Sequence, residues 1–202
     1  MWNWNSCLKF VAFWILASIV GWIIGLMLVF PFVTEYLSDF LYQKLPFLRH
    51  VSFSFSALAG FFSFGLVVGG AQYIVLRKHI NKSWLWMIAT AIGFGVGIVV
   101  MKEIIPTKHG IEWLQWLVIA LIQWIFLHHQ LSRSFHWVLS NSFISAFLLI
   151  SEFLSNNEHN LNTSLVDDLR AIVLIACVVG LLTGTSMWWI LQGPRKPRES
   201  TA

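Results

Sequence analysis

The sequence has few charged residues and very little cysteine. Charged residues make up 11% of its 202 positions, whereas a typical soluble domain carries about 25%. The chain therefore has too little charge to cover a water-exposed surface. Its two cysteines, Cys7 and Cys177, are too few for a disulfide framework. The topology predicted below places them at different membrane depths, so a direct bridge between them is not expected.

Sequence motifs of catalysis and of metal or phosphate binding are also missing. The segment Gly184-Thr-Ser186-Met-Trp lacks the second glycine of a Gly-x-Ser-x-Gly nucleophile motif. There is no Cys-x-x-Cys pair and no phosphate-binding glycine loop. Four histidines lie at predicted helix ends without the spacing or carboxylate of a zinc protease: His79, His128, His129 and His136. The sequence predicts no catalytic residue, no metal and no cofactor.

Apolar and aromatic residues make up most of the chain. The chain is 57% hydrophobic, with 12 Trp and 17 Phe. Six apolar runs approach the roughly 20 residues that a membrane-spanning helix needs. They are Phe10–Phe32, Phe53–Leu76, Trp84–Met101, Ile111–Leu127, Phe135–Leu154 and Leu169–Leu191. The predicted fold is all-α: an integral membrane helical bundle of about six transmembrane helices.

The connection between the first two runs carries its own amphipathic pattern. Residues Thr34–Leu45 are predicted to form a separate short helix with Thr34 as its N-cap and its apolar side on the bilayer surface. Pro46 would end this helix, because proline cannot continue the hydrogen-bond ladder.

The distribution of Lys and Arg predicts the orientation. The side that carries both termini has eight of these residues and the opposite side has five, so the positive-inside rule puts both termini in the cytoplasm. The tail, residues 194–202, is short and basic. The expected location is the plasma (inner) membrane of a cell, or a thylakoid membrane.

A matched spacing in the sequence indicates an internal repeat. Gln72 and Gln123 are 51 residues apart, and so are Trp86 and Trp137. The chain is thus predicted to be a single transmembrane domain, residues 1–202, built from three parallel two-helix repeats. The units cover about residues 8–80, 81–132 and 133–193. Aligning Gly184 with Gly69 puts Met187 at the glutamine position of the third unit.

Glycines recur four residues apart, which places each pair on one helix face. The pairs are Gly21/Gly25, Gly65/Gly69, Gly93/Gly97 and Gly180/Gly184. Without side chains at these positions, neighbouring helix backbones can approach closely. The main interpretation is packing within the chain, and the alternative is homo-oligomerisation.

Five polar residues are predicted to share one depth, about one helical turn inside the cytoplasmic boundary. They are Ser18, Gln72, Thr90, Gln123 and Asn141. Ser18, Thr90 and Asn141 each follow a predicted interfacial tryptophan by four residues: Trp14, Trp86 and Trp137. One interpretation of this layer is hydrogen bonding between helices. The other is a polar pocket, open to the cytoplasm, that holds a small ligand or a lipid headgroup.

The middle of the chain resembles a group of small polytopic membrane proteins from bacteria, prominent in cyanobacteria. The resemblance rests on Gly69-x-x-Gln-Tyr-x-x-Leu-Arg77 and Trp86-x-x-Ala-Thr-Ala-x-Gly-Phe94. The group's pattern has Trp where this chain has Tyr73. The resemblance implies the hairpin architecture and supplies no activity.

Three functional classes follow from these observations. The favoured one is a non-enzymatic scaffold or accessory subunit of a membrane complex, because catalytic and metal-binding motifs are missing and glycines that allow close helix packing are abundant. The alternative is a binder or transporter of a lipid or small molecule, and an intramembrane enzyme is least favoured. Expected partners are the lipid bilayer and a membrane protein or second copy of the chain. Nucleic acid is not expected, because the basic residues fall in short loops.

Overall fold

The computed structural model describes residues 4–44, 49–99, 112–155 and 165–193. Nearly all of these residues are helical, and the described ranges contain no β-strand, so the all-α prediction is confirmed. The helices are α1 (Trp4–Ile24), α2 (Phe30–Lys44), α3 (Arg49–Leu76), α4 (Trp84–Val99), α5 (Glu112–His128), α6 (Phe135–Ser155) and α7 (Leu165–Leu191). The basic tail, residues 194–202, lies outside the described residues.

Three helical stretches are long and apolar enough to cross a membrane. They are Trp4–Phe40, Phe55–Leu76 and Val173–Leu191, with 37, 22 and 19 residues. Two shorter apolar stretches, Trp84–Ile98 and Leu114–His128, belong to α4 and α5. The fold is therefore compatible with a membrane location, with fewer clear spans than the six that were predicted.

The first helix differs from its prediction. A π-helical stretch, Gly25–Val29, joins α1 directly to α2, so the predicted separate helix beginning at Thr34 is wrong. The Thr34 hydroxyl does not cap a helix but donates to the Phe30 carbonyl at 2.8 Å. The wider π-turn ends just before Pro31, where the backbone must accommodate a residue without an N–H group.

The helices pack as a closed ring. Each of α1, α3, α4, α5, α6 and α7 contacts the next in that order, and α7 returns to contact α1. Helix α2 packs on α3. The axis of this ring is the interior of the molecule, and the opposite side of each helix faces outward.

Two tight connections lie at one end of the ring, called here the short-loop end. They are residues 77–83, between α3 and α4, and residues 129–134, between α5 and α6. Their backbone hydrogen bonds match in pairs. Ile80 and Leu131 each donate an N–H to a residue four positions earlier, Leu76 and Leu127, at 3.0 and 2.9 Å. In the first loop Lys82 has a φ of 54°, a left-handed conformation that costs a non-glycine residue some energy.

The eight predicted glycines lie at helix contacts. A Cβ at Gly65 would lie 2.7 Å from Ala91 Cα, so α3 and α4 touch backbone to backbone there. Other close approaches recur around the ring. A Cβ would approach a Cα of the neighbouring helix at Gly21 (3.0 Å), Gly69 (2.9 Å), Gly93 (2.9 Å) and Gly180 (3.2 Å). It would meet a side chain at Gly25 (2.5 Å), Gly97 (2.7 Å) and Gly184 (2.9 Å).

The outward face of the ring is apolar. Phe143, Leu174 and Leu8 are 75%, 67% and 63% exposed, and many other large hydrophobic residues share this outward position. Soluble monomers rarely expose contiguous apolar surface of this extent. Lipid tails would solvate such a surface without the free-energy cost that water imposes.

Candidate functional site

Three tryptophans meet on the ring axis. Trp14, Trp86 and Trp137 come from α1, α4 and α6 and are 0%, 0% and 2% exposed. Their ring centroids are 5.1 to 6.3 Å apart, and every pair is edge-to-face, a favourable aromatic geometry. Because these side chains are buried between the helices, they do not belong to an aromatic belt on the outward surface.

Each indole of this tryptophan triad donates a hydrogen bond to an adjacent helix. The three bonds, each 2.9 Å long, run from Trp86 to Gln72, from Trp137 to Gln123 and from Trp14 to Thr183. A buried indole N–H without an acceptor would carry a desolvation cost of about 1–3 kcal/mol. The acceptors therefore fix the position of each tryptophan ring and tie neighbouring helices together.

The glutamines extend these bonds into a network. Gln123 Nε2 donates to Thr90 Oγ1 at 2.8 Å, and the Thr90 hydroxyl donates to the Trp86 carbonyl at 2.8 Å. Gln72 Nε2 donates to Ser18 Oγ at 3.3 Å. Each glutamine thus accepts from a tryptophan of the triad and donates to a hydroxyl, so both ends of both amides are used.

In α7 the residue that takes the glutamine position is Thr183. The alignment of Gly184 with Gly69 predicted Met187 there, but it is Thr183 that accepts the bond from Trp14. Met187 lies one helical turn closer to the short-loop end and is fully buried in the apolar cluster with Leu76. The register predicted for α7 is therefore wrong by four residues, one turn of the helix.

Asn141 completes the layer on α6. Its Nδ2 donates to the Trp137 carbonyl at 2.8 Å, within its own helix. All five predicted residues of the polar layer, together with Thr183, line one cavity on the axis. Thr183 was missed because the sequence offers glycines at both 180 and 184, and aligning Gly180 with Gly69 would have found it.

The cavity is small. Its volume is about 30 Å³, enough for two or three water molecules at roughly 10–15 Å³ each. Metabolite pockets measure about 300–1,000 Å³. The space within the polar layer therefore has the size of a site for ordered water.

An apolar plug separates this cavity from the short-loop end. Besides the tryptophan triad, the plug contains Phe10, Leu76, Leu127, Leu131, Met187 and Ile190, all 6% exposed or less. These side chains fill the interior between the polar layer and the short-loop end. On the far side of the cavity Trp22 stacks on Trp116, with ring centroids 5.6 Å apart. Near them, Gln115 Nε2 is buried without a hydrogen-bond partner.

The histidines make separate contacts. His79 packs edge-on against Phe10 with ring centroids 5.3 Å apart, and His136 packs against Trp189 at 4.3 Å. His128 and His129 are adjacent, with ring centroids 5.2 Å apart. The described part of the chain contains no group of three or more His, Cys, Asp or Glu side chains that could hold a metal ion.

Comparison with known proteins gives no relative from which a function could be inferred. No protein-family model, curated protein or solved structure matches the chain. The assignment below therefore rests on the sequence and the geometry.

Proposed function

We propose that the chain is a multi-pass integral membrane protein whose six ring helices all span the bilayer. Three clear candidate spans and the apolar outer surface support this. Helices α4 and α5 have 16 and 17 residues and would cover about 24–26 Å. A bilayer core of about 30 Å accommodates such a shortfall by local thinning.

The proposal includes three parallel hairpin repeats, each made of two successive ring helices. Recurring contacts support it. The Trp86–Gln72 bond recurs as Trp137–Gln123, with both residues shifted by 51 positions. The approach of Gly21 to the Val68 Cα likewise recurs as Gly93 to Ile119. Such pairing follows naturally from duplicated units.

The proposed role is a non-enzymatic scaffold or accessory subunit of a membrane complex. One observation carries it: the residues of the polar layer and Thr183 bond to the tryptophan triad, to one another or to helix backbone and leave a cavity of about 30 Å³. Interhelical hydrogen bonds in membranes contribute about 0.6 kcal/mol each, with a maximum near 1.7. The polar layer therefore serves to hold the ring together, and the outward surface is left to meet lipid and a protein partner.

Purification from native membranes in a mild detergent tests this role. We expect the chain to co-purify with a stoichiometric membrane-protein partner, or as an oligomer of itself, identified by mass spectrometry and by its mass in solution. Recovery of a monomer that holds a metabolite and no protein would contradict the scaffold role and favour a small-molecule binder.

Cysteine labelling tests the proposed topology. Both termini and the short-loop end are assigned to the cytoplasm. Single cysteines at Lys82 and at Lys44, both exposed, would be placed in a chain without Cys7 and Cys177. An impermeant maleimide should label the Lys82 position only in inverted vesicles and the Lys44 position only in intact cells. The reverse pattern would refute the orientation, and equal labelling of both positions in intact cells would refute membrane spanning between them.

A further inference from the structure

One arginine at the short-loop end has an organised side chain and no counter-ion among the residues that the structure describes. The Arg133 guanidinium lies over the Trp189 ring, with Cζ 4.9 Å from the ring centroid. Its stem packs on Gly193, where a Cβ would come within 3.0 Å of Arg133 Cδ. This contact holds the guanidinium against the indole, and a guanidinium over an aromatic ring can still use its in-plane N–H donors.

No described carboxylate is near this arginine. The acidic residues among the described ranges lie in α2, at the start of α5, at the end of α6 and at the start of α7, all at the opposite end of the ring. His136 packs on the same tryptophan as Arg133, with ring centroids 4.3 Å apart. The His136 Nδ1 also lies 3.2 Å from the Arg133 carbonyl oxygen, so the histidine helps to hold the arginine, and the guanidinium is the cationic group of this corner.

The seam between α6 and α7 changes character with depth below this corner. About one turn in, the Ser186 hydroxyl donates to Ser140 Oγ at 2.6 Å across the seam. About one turn deeper, Phe143 and Leu182 are 75% and 42% exposed. From the short-loop end inward, the seam thus presents first a cationic group, then hydroxyl groups and then apolar side chains.

We propose that this seam is a binding site for an anionic phospholipid. Arg133 would contact the phosphate, the Ser140–Ser186 pair would lie beside the glycerol and ester groups, and Phe143 with Leu182 would contact an acyl chain. The order of these groups along the seam matches the order of groups in a phospholipid from headgroup to tail. Planar guanidinium donors are well suited to phosphate oxygens. The site goes beyond the scaffold role but rests on the proposed membrane location.

Native mass spectrometry of the full chain in dodecyl maltoside tests the site, with dioleoyl phosphatidylglycerol and dioleoyl phosphatidylcholine as probes. The chain should bind the first phosphatidylglycerol about tenfold more tightly than phosphatidylcholine. Arg133→Gln should weaken that binding about fivefold, the effect of one basic residue at an anionic lipid surface. Trp189→Leu should weaken it by a similar factor, because the guanidinium loses its stacking surface, and Arg133→Lys should restore only part of the affinity.

Lys78→Gln is the matched control, because Lys78 is exposed at the same end of the ring and carries the same charge. We expect it to change phosphatidylglycerol binding by less than about twofold. Equal binding of the two lipids, or an equal loss in Lys78→Gln and Arg133→Gln, would overturn the site. Displacement of the lipid by millimolar inorganic phosphate would also overturn it, since the ligand would then be a free anion. Recovery of the wild-type chain from the membrane fraction, measured first, tests the membrane location separately.

Discussion

Replacing Gln123 by leucine tests whether the polar layer holds the ring together. Gln123 is 3% exposed, accepts from Trp137 and donates to Thr90. Leucine has a similar size but removes both bonds, at about 0.6 kcal/mol each in a membrane. It also leaves the Trp137 N–H buried without an acceptor, at about 1–3 kcal/mol. Thr90 loses less, because its hydroxyl still donates to its own helix. The orphaned indole already includes the loss of its bond, so with the Thr90 bond we expect Gln123→Leu to lower the free energy of unfolding by about 1.5–3.5 kcal/mol in total.

The chain supplies its own reporter for this measurement. Cys7 is buried in the apolar plug, so its reaction with a fluorogenic maleimide reports opening of the ring. In a Cys177→Ala background, titration with sodium dodecyl sulfate in mixed micelles would give the unfolding midpoint. Gln192→Leu is the control, because Gln192 is exposed near the end of α7, and it should change the free energy by less than about 0.5 kcal/mol.

A double-mutant cycle isolates the indole bond. In a Trp137→Phe background the donor is already gone, so adding Gln123→Leu should cost about 1–3 kcal/mol less than it does in the wild type. A loss below about 0.5 kcal/mol for Gln123→Leu, or an equal loss in both backgrounds, would refute the structural role assigned to the network.

Three further predictions use the same unfolding assay. Gly65→Ala should destabilise the protein by about 1–3 kcal/mol, because the new Cβ meets the α4 backbone. Its control is Gly70→Ala, where the nearest neighbour of the new Cβ lies at 3.6 Å and the change should be neutral or slightly stabilising. Equal effects of the two variants would argue against the α3–α4 contact. Thr183→Val should lower the free energy of unfolding by about 1–3 kcal/mol, because it leaves the Trp14 indole N–H without its acceptor. Thr185→Val should lower it much less, because Thr185 is exposed and bonds only within its own helix. The opposite order would refute Thr183 as the acceptor. Met187→Gln should destabilise the protein by more than about 1 kcal/mol, because it buries an unpaired amide in the apolar plug. A stabilising effect would instead support the alignment of Met187 with Gln72 that the sequence predicted.

The sequence could predict which residues belong to the polar layer, but not what each one bonds to. Apolar run length places helix ends, and rise per residue then places Gln72 and Thr90 at one depth. Spacing does not reveal which helix faces which, so the bond from Trp86 to Gln72 could not be foreseen. Assigning the tryptophans of the triad to the interface followed from their position near helix ends, where Trp is common. Burial was decided instead by nearby acceptors on the adjacent helix.

Two local features of the helices were also beyond the sequence pattern. In α7, Gly180 and Gly184 allow two alignments one turn apart, and only packing against α1 selects between them. In the first helix, Pro31 indicated a break, yet the π-turn before it lets the helix continue. In each case a contact or a backbone adjustment outside the local pattern decided the outcome.

The bond that closes the ring joins Trp14 to Thr183, two residues 169 positions apart. A ribosome adding about 5–20 residues per second needs roughly 8–34 s to travel from the first codon to the second. Throughout that interval the nascent chain holds a tryptophan whose native acceptor has not been synthesised. Any product that terminates before α7 would be left with an open arc of helices, and cells that monitor unfinished membrane proteins would meet it in that state.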